Sequence, residues 1–338
     1  MAIYTREEAK KILEKALSFS KADACEINLS GSNSGNIRYA RNTVSTAGYR
    51  STQSLAVQSS FGKKVGTATI DEFDDASLEK VVRRAEELAQ LSPENPEFMP
   101  PLGPQEYDEA ITFKEATASV TPEYRAEVAN SSIVPAAAKD VTAAGFLDDS
   151  AQFSAMINSN GLFAYNQSTD VDFTVTMRTN DGTGSGWVTR DYNDISKFDA
   201  DEASKAAIDK AVMSREARAI EPGKYTVILE PAASIGLLRN MFRSFDARSA
   251  DEGRSFMSAK DGGTKLGQKI VDERVNIWSD PLNPDVPTST WNGAGQPLKK
   301  TSWIENGVVK NLAYSRYWAE QKGVPCTFPQ QWYYGRWG

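Results

Sequence analysis

Val171-Asp172-Phe173-Thr174-Val175-Thr176-Met177-Arg178, closed by Asn180-Asp181-Gly182, alternates apolar and polar residues at a period of two. That is the period of a half-buried β-strand, and a cluster of Asn, Asp and Gly is the chemistry of a tight reversal. Residues 145–157 and 163–167 alternate in the same way, with Asn158-Ser159-Asn160-Gly161 between them. The expectation is an antiparallel meander at the centre of the chain. On its N-terminal side, Thr121-Pro122-Glu123 is a cap followed by proline at the first helical position, opening a helix towards Lys139. On its C-terminal side, residues 201–217 set Ala203, Ala206, Ala207 and Val212 on one helical face, and Glu221-Pro222-Gly223 stops them. Strands bracketed by helices place the chain in the α+β class.

The first 92 residues repeat the theme. Thr5 with Glu8 forms a capping box for a helix whose inner face carries Ala9, Ile12, Leu13, Ala16 and Leu17. Strands are expected at 24–29, 36–41, 51–59 and 65–70. Ser30-Gly31-Ser32-Asn33-Ser34-Gly35 and Phe61-Gly62-Lys63-Lys64 read as the turns between them. Asp75 can cap a second helix with Leu78, Val81, Val82, Ala85 and Leu88 inside. Five prolines fall in 92–104 and mark a boundary or wrapping connector. After it, 224–229 reads as a short buried strand. Pro231 opens a helix on which Ile235, Leu238, Met241 and Phe242 share a face, and the remainder is rich in turns and short strands. The organisation expected is an N-terminal helix–antiparallel-sheet–helix unit at 1–92, a middle α+β segment at 105–218 and a β-rich C-terminal domain at 222–338.

Composition narrows the function. Thirty-eight Lys and Arg against forty-five Asp and Glu leave a formal charge of −7, which argues against a nucleic-acid surface. No apolar run approaches the roughly 18 residues of a membrane span, and the N-terminus lacks the apolar core of a signal peptide, so a cytoplasmic location is expected. The chain contains no histidine. A Ser-His-Asp triad, a Cys-His dyad and any His-ligated zinc are therefore excluded for this polypeptide alone. Cys25 and Cys326 are the only cysteines, too few for a disulfide framework or a four-cysteine zinc site.

Several stretches invite a chemical reading. Asp181-Gly182-Thr183-Gly184-Ser185-Gly186 resembles a phosphate cradle, but strand-like Trp187-Val188-Thr189 follows where an anion site needs a helix start, so a hairpin turn is expected. Asp74-Asp75 and Asp148-Asp149 are adjacent acids; strand neighbours point to opposite faces, and a solvated turn or a helix cap is expected of them rather than a shared-proton pair. Cys25 lies between carboxylates in a half-buried strand and reads as a small core residue. Trp278, Trp291, Trp303 and Trp318, with Trp332 and Trp337, read as core or partner surface. Arg239, Arg243 and Arg248 punctuate the helix after Pro231 and are candidates for anchoring an acidic partner or a peptide carboxylate.

The order of segments resembles the TldD/PmbA family, some of whose members carry the name modulator of DNA gyrase. The resemblance rests on Lys224-Tyr225-Thr226-Val227-Ile228-Leu229-Glu230-Pro231-Ala232-Ala233, Arg254-Ser255-Phe256-Met257, Lys265-Leu266-Gly267-Gln268-Lys269-Ile270, Ser279-Asp280-Pro281 and Ile304-Glu305-Asn306-Gly307-Val308-Val309-Lys310. It implies a zinc-metallopeptidase lineage. In the TldD branch a His-Glu-x-x-x-His helix follows this strand, binding zinc through its imidazoles and polarising water with its glutamate. Here Arg239 and Ser244 stand at the ligand positions and Asn240 at the glutamate position, and a permanent cation repels zinc. The pattern instead resembles the PmbA, or TldE, branch, which lacks the motif.

The resemblance thus implies a non-catalytic subunit that binds peptide and assembles with a TldD-type metallopeptidase in proteolysis or peptide processing. No metal or cofactor is expected in this chain, with zinc expected in the partner, and neither a membrane nor a direct nucleic-acid partner is expected. The alternatives are an autonomous peptide-binding or scaffold protein, favoured if no TldD-type gene lies nearby, and an enzyme using carboxylates without metal. The last stretch, from about Gln330, departs from the family. Codons permitted for it, read one nucleotide later, encode Ser-Asn-Gly-Ile-Met-Glu-Gly-Gly, a segment similar to the family's, so a frameshift and an incomplete C-terminal domain are expected.

Overall fold

The structure, a computed structural model, describes residues 3–328. Thr5 starts α1 (Arg6–Ser18) with the expected capping box: its hydroxyl accepts from the Glu8 amide, and the Glu8 carboxylate accepts from the Thr5 amide at 2.8 Å. Then come β1 (Ala24–Ala40), β2 (Thr43–Phe61), β3 (Lys64–Ile70) and α2 (Asp75–Leu91). The cap of α2 is Asp74, one residue earlier than expected, its carboxylate accepting from the amides of Ala76 and Ser77. After the connector come α3 (Glu115–Ala118), α4 (Pro122–Ala138), β4 (Val141–Asn158), β5 (Phe163–Thr179), β6 (Ser185–Tyr192) and α5 (Ala200–Met213).

All six strands form one antiparallel sheet in the order β3-β2-β1-β4-β5-β6. The seam between its halves is β1 against β4, in register from Glu26↔Asn158 to Tyr39↔Gly145, so the sheet runs unbroken across the proline-rich connector. Odd-numbered residues of β1, β4 and β5 point to one face. There Cys25, Ile27, Leu29, Phe153 and Ala155 pack with α1 and α2, and Ile37, Tyr39, Leu147, Val171 and Phe173 pack with α4 and α5. The first unit does not close its core by itself, because β4 supplies part of it.

The turn expected at residues 30–35 is absent: β1 passes straight through. Its glycines serve close packing. A Cβ on Gly35 would meet the Arg125 guanidinium at 1.9 Å, and one on Gly31 would meet the Phe153 ring at 2.5 Å. The chain reverses instead at Arg41-Asn42, both with positive φ (53° and 57°). The other expected reversals are found. Gly62, Gly161 and Gly182 have φ of 57°, 88° and 75°, and Asp181 ties its hairpin by accepting from the Thr183 amide. The 181–186 stretch is therefore the β5–β6 turn.

The C-terminal part contains α6 (Pro231–Phe242), α7 (Ala247–Asp251), β7 (Ile277–Ser279), β8 (Thr301–Glu305), β9 (Val308–Val309) and α8 (Arg316–Lys322). The three strands make a small sheet over a core of Trp303, Phe245, Met257, Ile304, Val309 and Leu312. This part lies against the face of the large sheet that the helices leave open. Trp291 packs on Met156, Leu162 and Ala164, and the connector is clamped between by Tyr107 Oη donating to the Gly295 carbonyl at 2.6 Å and Thr290 Oγ1 donating to that of Asp108 at 2.7 Å. Residues 224–229 correct the sequence reading: they join no strand among the described residues, and Ile228 is 96% exposed. Their run of β-branched and aromatic residues suits a buried strand, but a strand needs a neighbouring edge to pair with.

The residues suspected of a frameshift, from about Gln330, lie outside the described residues, as do Trp332 and Trp337. No helix among the described residues is long and apolar enough to cross a membrane.

Candidate functional site

Pro231 is the first residue of α6, where its missing amide costs nothing. Arg239 lies in the last turn and is half-buried. Asn240 is exposed and donates to the Gly236 carbonyl one turn back at 3.3 Å. The helix ends at Phe242, so Ser244 falls in the following 3-10 turn, where its carbonyl accepts from Ser255 Oγ at 2.6 Å. A guanidinium, an amide and a hydroxyl on two different elements do not suit zinc, which takes thiolate, imidazole or carboxylate donors in a tetrahedral set. Among the described residues no three His, Cys, Asp or Glu side chains converge as a metal cage.

Of the other two arginines, Arg243 is exposed. Arg248 is engaged structurally: its guanidinium pairs with Glu97 of the connector and with Glu252, both at 2.9 Å, and lies 5.3 Å from the centre of the Trp318 ring. Arg239 and Arg248 therefore serve separate places.

Arg239 faces a set of acids that the sequence did not bring together. Cross-strand register aligns Asn36 of β1, Asp148 of β4, Asp172 of β5 and Asp191 of β6 in one row on the face away from α4 and α5. Asp170 stands one step along β5, opposite Ser150. Like charges directly opposite one another repel, and partial burial sharpens the repulsion. Burial, then Asp191, Asp172 and Asp148, push the Asp170 carboxyl up to about 8. Burial, then Asp191 and Asp148, raise Asp172 to about 6, against an opposing pull from Arg239. Asp191, on the edge strand with part of its surface in water, is also raised, first by burial, while a hydrogen bond from Asp170 and the Arg239 charge draw it down. Burial and the neighbouring carboxylates thus favour a protonated form of the pair, with Asp170 hydrogen-bonded to Asp191. The arrangement is a proton-sharing carboxyl pair beside a further carboxylate, with a guanidinium as counter-charge.

Asp148 and Asp149 were expected in a solvated turn or a cap. Both lie within β4 and, as alternation demands, face opposite ways. Asp149 is buried and makes a two-point contact with Arg125 of α4, Nε to Oδ1 at 2.5 Å and Nη2 to Oδ2 at 2.8 Å. Burial pushes the Asp149 carboxyl up, opposed by Arg125; the fork geometry is that of a charged pair. Cys25 is the core residue expected, its thiol pushed up by burial. Trp303 is core and donates from Nε1 to Ser279 Oγ at 3.0 Å, while Trp278 is exposed.

The sequence carried one signal for the acid row. Asp170 and Asp172 share a strand face by period, but only the registers to β4 and β6 add Asp148 and Asp191.

Comparison with known proteins agrees with this architecture along nearly the whole chain. Three domains described for the PmbA/TldA metallopeptidases match: domain 1 at residues 25–89, the central domain at 100–215 and the C-terminal domain at 222–334. Among curated proteins, the chain is 30% identical over 177 residues to an uncharacterised protein of Methanocaldococcus jannaschii, covering 52% of this chain and 40% of that one. It is 25% identical over 178 residues to a metalloprotease of Methanothermobacter thermautotrophicus, covering 51% and 38%. The matched stretch thus spans about two-fifths of the length of these relatives. Among solved structures, TldE from Thermococcus kodakarensis aligns over 97% of this chain and 74% of its own with a TM-score of 0.81 at 19% identity. A proposed modulator of a DNA gyrase from Thermotoga maritima aligns over 94% and 74% with a TM-score of 0.84, also at 19% identity. At such identities the likeness is one of fold.

Proposed function

This chain belongs to the PmbA/TldD metallopeptidase family, and from that premise we propose that it is a non-catalytic, TldE-like subunit that binds peptide and assembles with a TldD-type metallopeptidase. The observation that carries the reading is Arg239. Where the catalytic branch needs a neutral imidazole, this chain sets a permanent cation whose charge draws down the raised carboxyls of Asp172 and Asp191. A metal ion there would meet the charge of that guanidinium, and 338 residues without a histidine offer no replacement ligand of that kind. Zinc, on this reading, resides in the partner.

Peptide capture finds support in residues 224–229. An exposed segment outside helix and strand, carrying Tyr225, Val227 and Leu229, can take an added strand through its main chain and read the added side chains with its own.

The test uses the purified chain alone and together with a TldD-type subunit carrying His-Glu-x-x-x-His. The chain alone cleaves no peptide with zinc supplied, and cleavage requires the partner. Cleavage by the chain alone overturns the proposal. If that cleavage persists in excess chelator, it points to the Asp170–Asp191 carboxyl pair working without metal.

A further inference from the structure

A cavity of about 240 Å³ lies on the open face of the sheet, at the opposite end of β1 from Asn36 and the acid row. Its floor includes Glu26 of β1. Its far wall is Arg316, the first residue of α8, and Phe98, Met99 and Pro101 of the connector supply apolar sides, with Gly293 at the rim. The two charges are opposite in sign and line the same space, and the hydrogen bond of each goes to another residue. The Glu26 carboxylate accepts from Asn28 Nδ2 at 3.3 Å, and one Arg316 Nη donates to the Pro100 carbonyl at 2.7 Å. Each therefore keeps hydrogen-bonding capacity directed elsewhere than to the other. They do sense one another: burial raises the Glu26 carboxyl, and the Arg316 charge opposes that rise.

We infer that this cavity is a binding site for a small zwitterion, an α-amino acid or dipeptide, whose ammonium meets Glu26 and whose carboxylate meets Arg316. A cation alone would leave Arg316 uncompensated in a partly buried space, and an anion alone would leave Glu26 so. A ligand with both charges satisfies both walls and carries no net charge into the cavity. Size sets the upper bound, since about 240 Å³ falls below the roughly 300–1,000 Å³ of sites for drug-sized molecules. The apolar sides suit an aliphatic side chain. A second hollow of about 190 Å³ shares Gly293 and continues along β1 past Asn28 and Ser30, room for the longer of the two ligands. The site owes nothing to Arg239 and stands or falls independently of the subunit role.

The experiment is calorimetric titration of the full chain with L-leucine and L-alanyl-L-leucine. Each is paired with its N-acetyl derivative, which lacks the ammonium, and its amide, which lacks the carboxylate. At least one zwitterion binds saturably with Kd on the order of 1 mM or tighter, and both blocked derivatives bind at least tenfold more weakly. Glu26→Gln removes the discrimination against the N-acetyl form and Arg316→Gln that against the amide, with far-UV circular dichroism unchanged. Absence of saturable binding by both zwitterions overturns the inference, as does equal binding of the blocked forms by the unaltered protein, a result that needs no variant to fold.

Discussion

Replacing Asp172 by Asn removes one negative charge from the acid row while keeping the side chain's shape. The carboxyl lies near 6 in the folded chain against an ordinary 3.8. Below about pH 4 both folded and unfolded chains hold the proton, and the group costs nothing. Between about 4 and 6 the unfolded chain ionises while the folded chain resists, so stability falls as pH rises; above 6 the loss is complete and constant. Two pH units at about 1.4 kcal/mol each give roughly 3 kcal/mol. The side chain is only half-buried, so solvent screening reduces this to about 1–2 kcal/mol. Urea denaturation at pH 4, 6 and 8 reads the difference directly. Asp172→Asn is expected to be the more stable protein at pH 8 by about 1–2 kcal/mol, with the two curves converging near pH 4. A variant no more stable than its parent at pH 8, or a difference that does not vary with pH, would refute the crowding of Asp148, Asp172 and Asp191. Arg239→Gln should move stability the other way above pH 6, because it strips the row of its counter-charge.

Other consequences follow from the same geometry. Arg125→Ala leaves Asp149 buried without its partner and should cost about 3–5 kcal/mol in chemical denaturation. Gly35→Ala drives a methyl group into that same guanidinium and should cost about 1–3 kcal/mol in thermal denaturation, mostly relieved in an Arg125→Ala background. Dialysis of the pure chain against zinc followed by metal analysis should give well under one ion per chain, and a stoichiometric ion at α6 would end the subunit reading. Cys25, buried with a raised pKa, should resist alkylation in the native protein and react once it is unfolded.

Local chemistry was legible wherever it acts within a few residues. The capping box at Thr5, proline at the start of α4 and α6, and the Asn158–Gly161 and Asn180–Gly182 reversals need only their own neighbours to form, and all are found. What failed depends on partners distant in sequence. Gly31 and Gly35 look like turn residues because glycine serves both turning and close approach; only Phe153 and Arg125, more than 80 residues away, decide between them. Residues 224–229 have the pattern of a strand and lack the edge that would make them one.

The candidate site divides along the same line. Arg239 was visible as a departure at a single position, because a helix fixes what its own residues present. The acids that sense its charge were not, since a strand's period gives each residue a face but no neighbour. Shift β5 by one residue against β4 and Asp172 no longer stands beside Asp148; the opposite row would then present apolar Val171 and Phe173 to the open face and unravel the core under α4 and α5. That core, with Phe173, Leu147 and Val175 fully enclosed, is what locks the register. The hydrophobic side of the sheet thereby forces Asp148, Asp172 and Asp191 into contact on the other side, a repulsion the fold could shed by spreading them and does not. The guanidinium at position 239 sets a positive charge against the raised carboxyls of Asp172 and Asp191, so the one cation of α6 that senses the row works against the crowding that the core imposes.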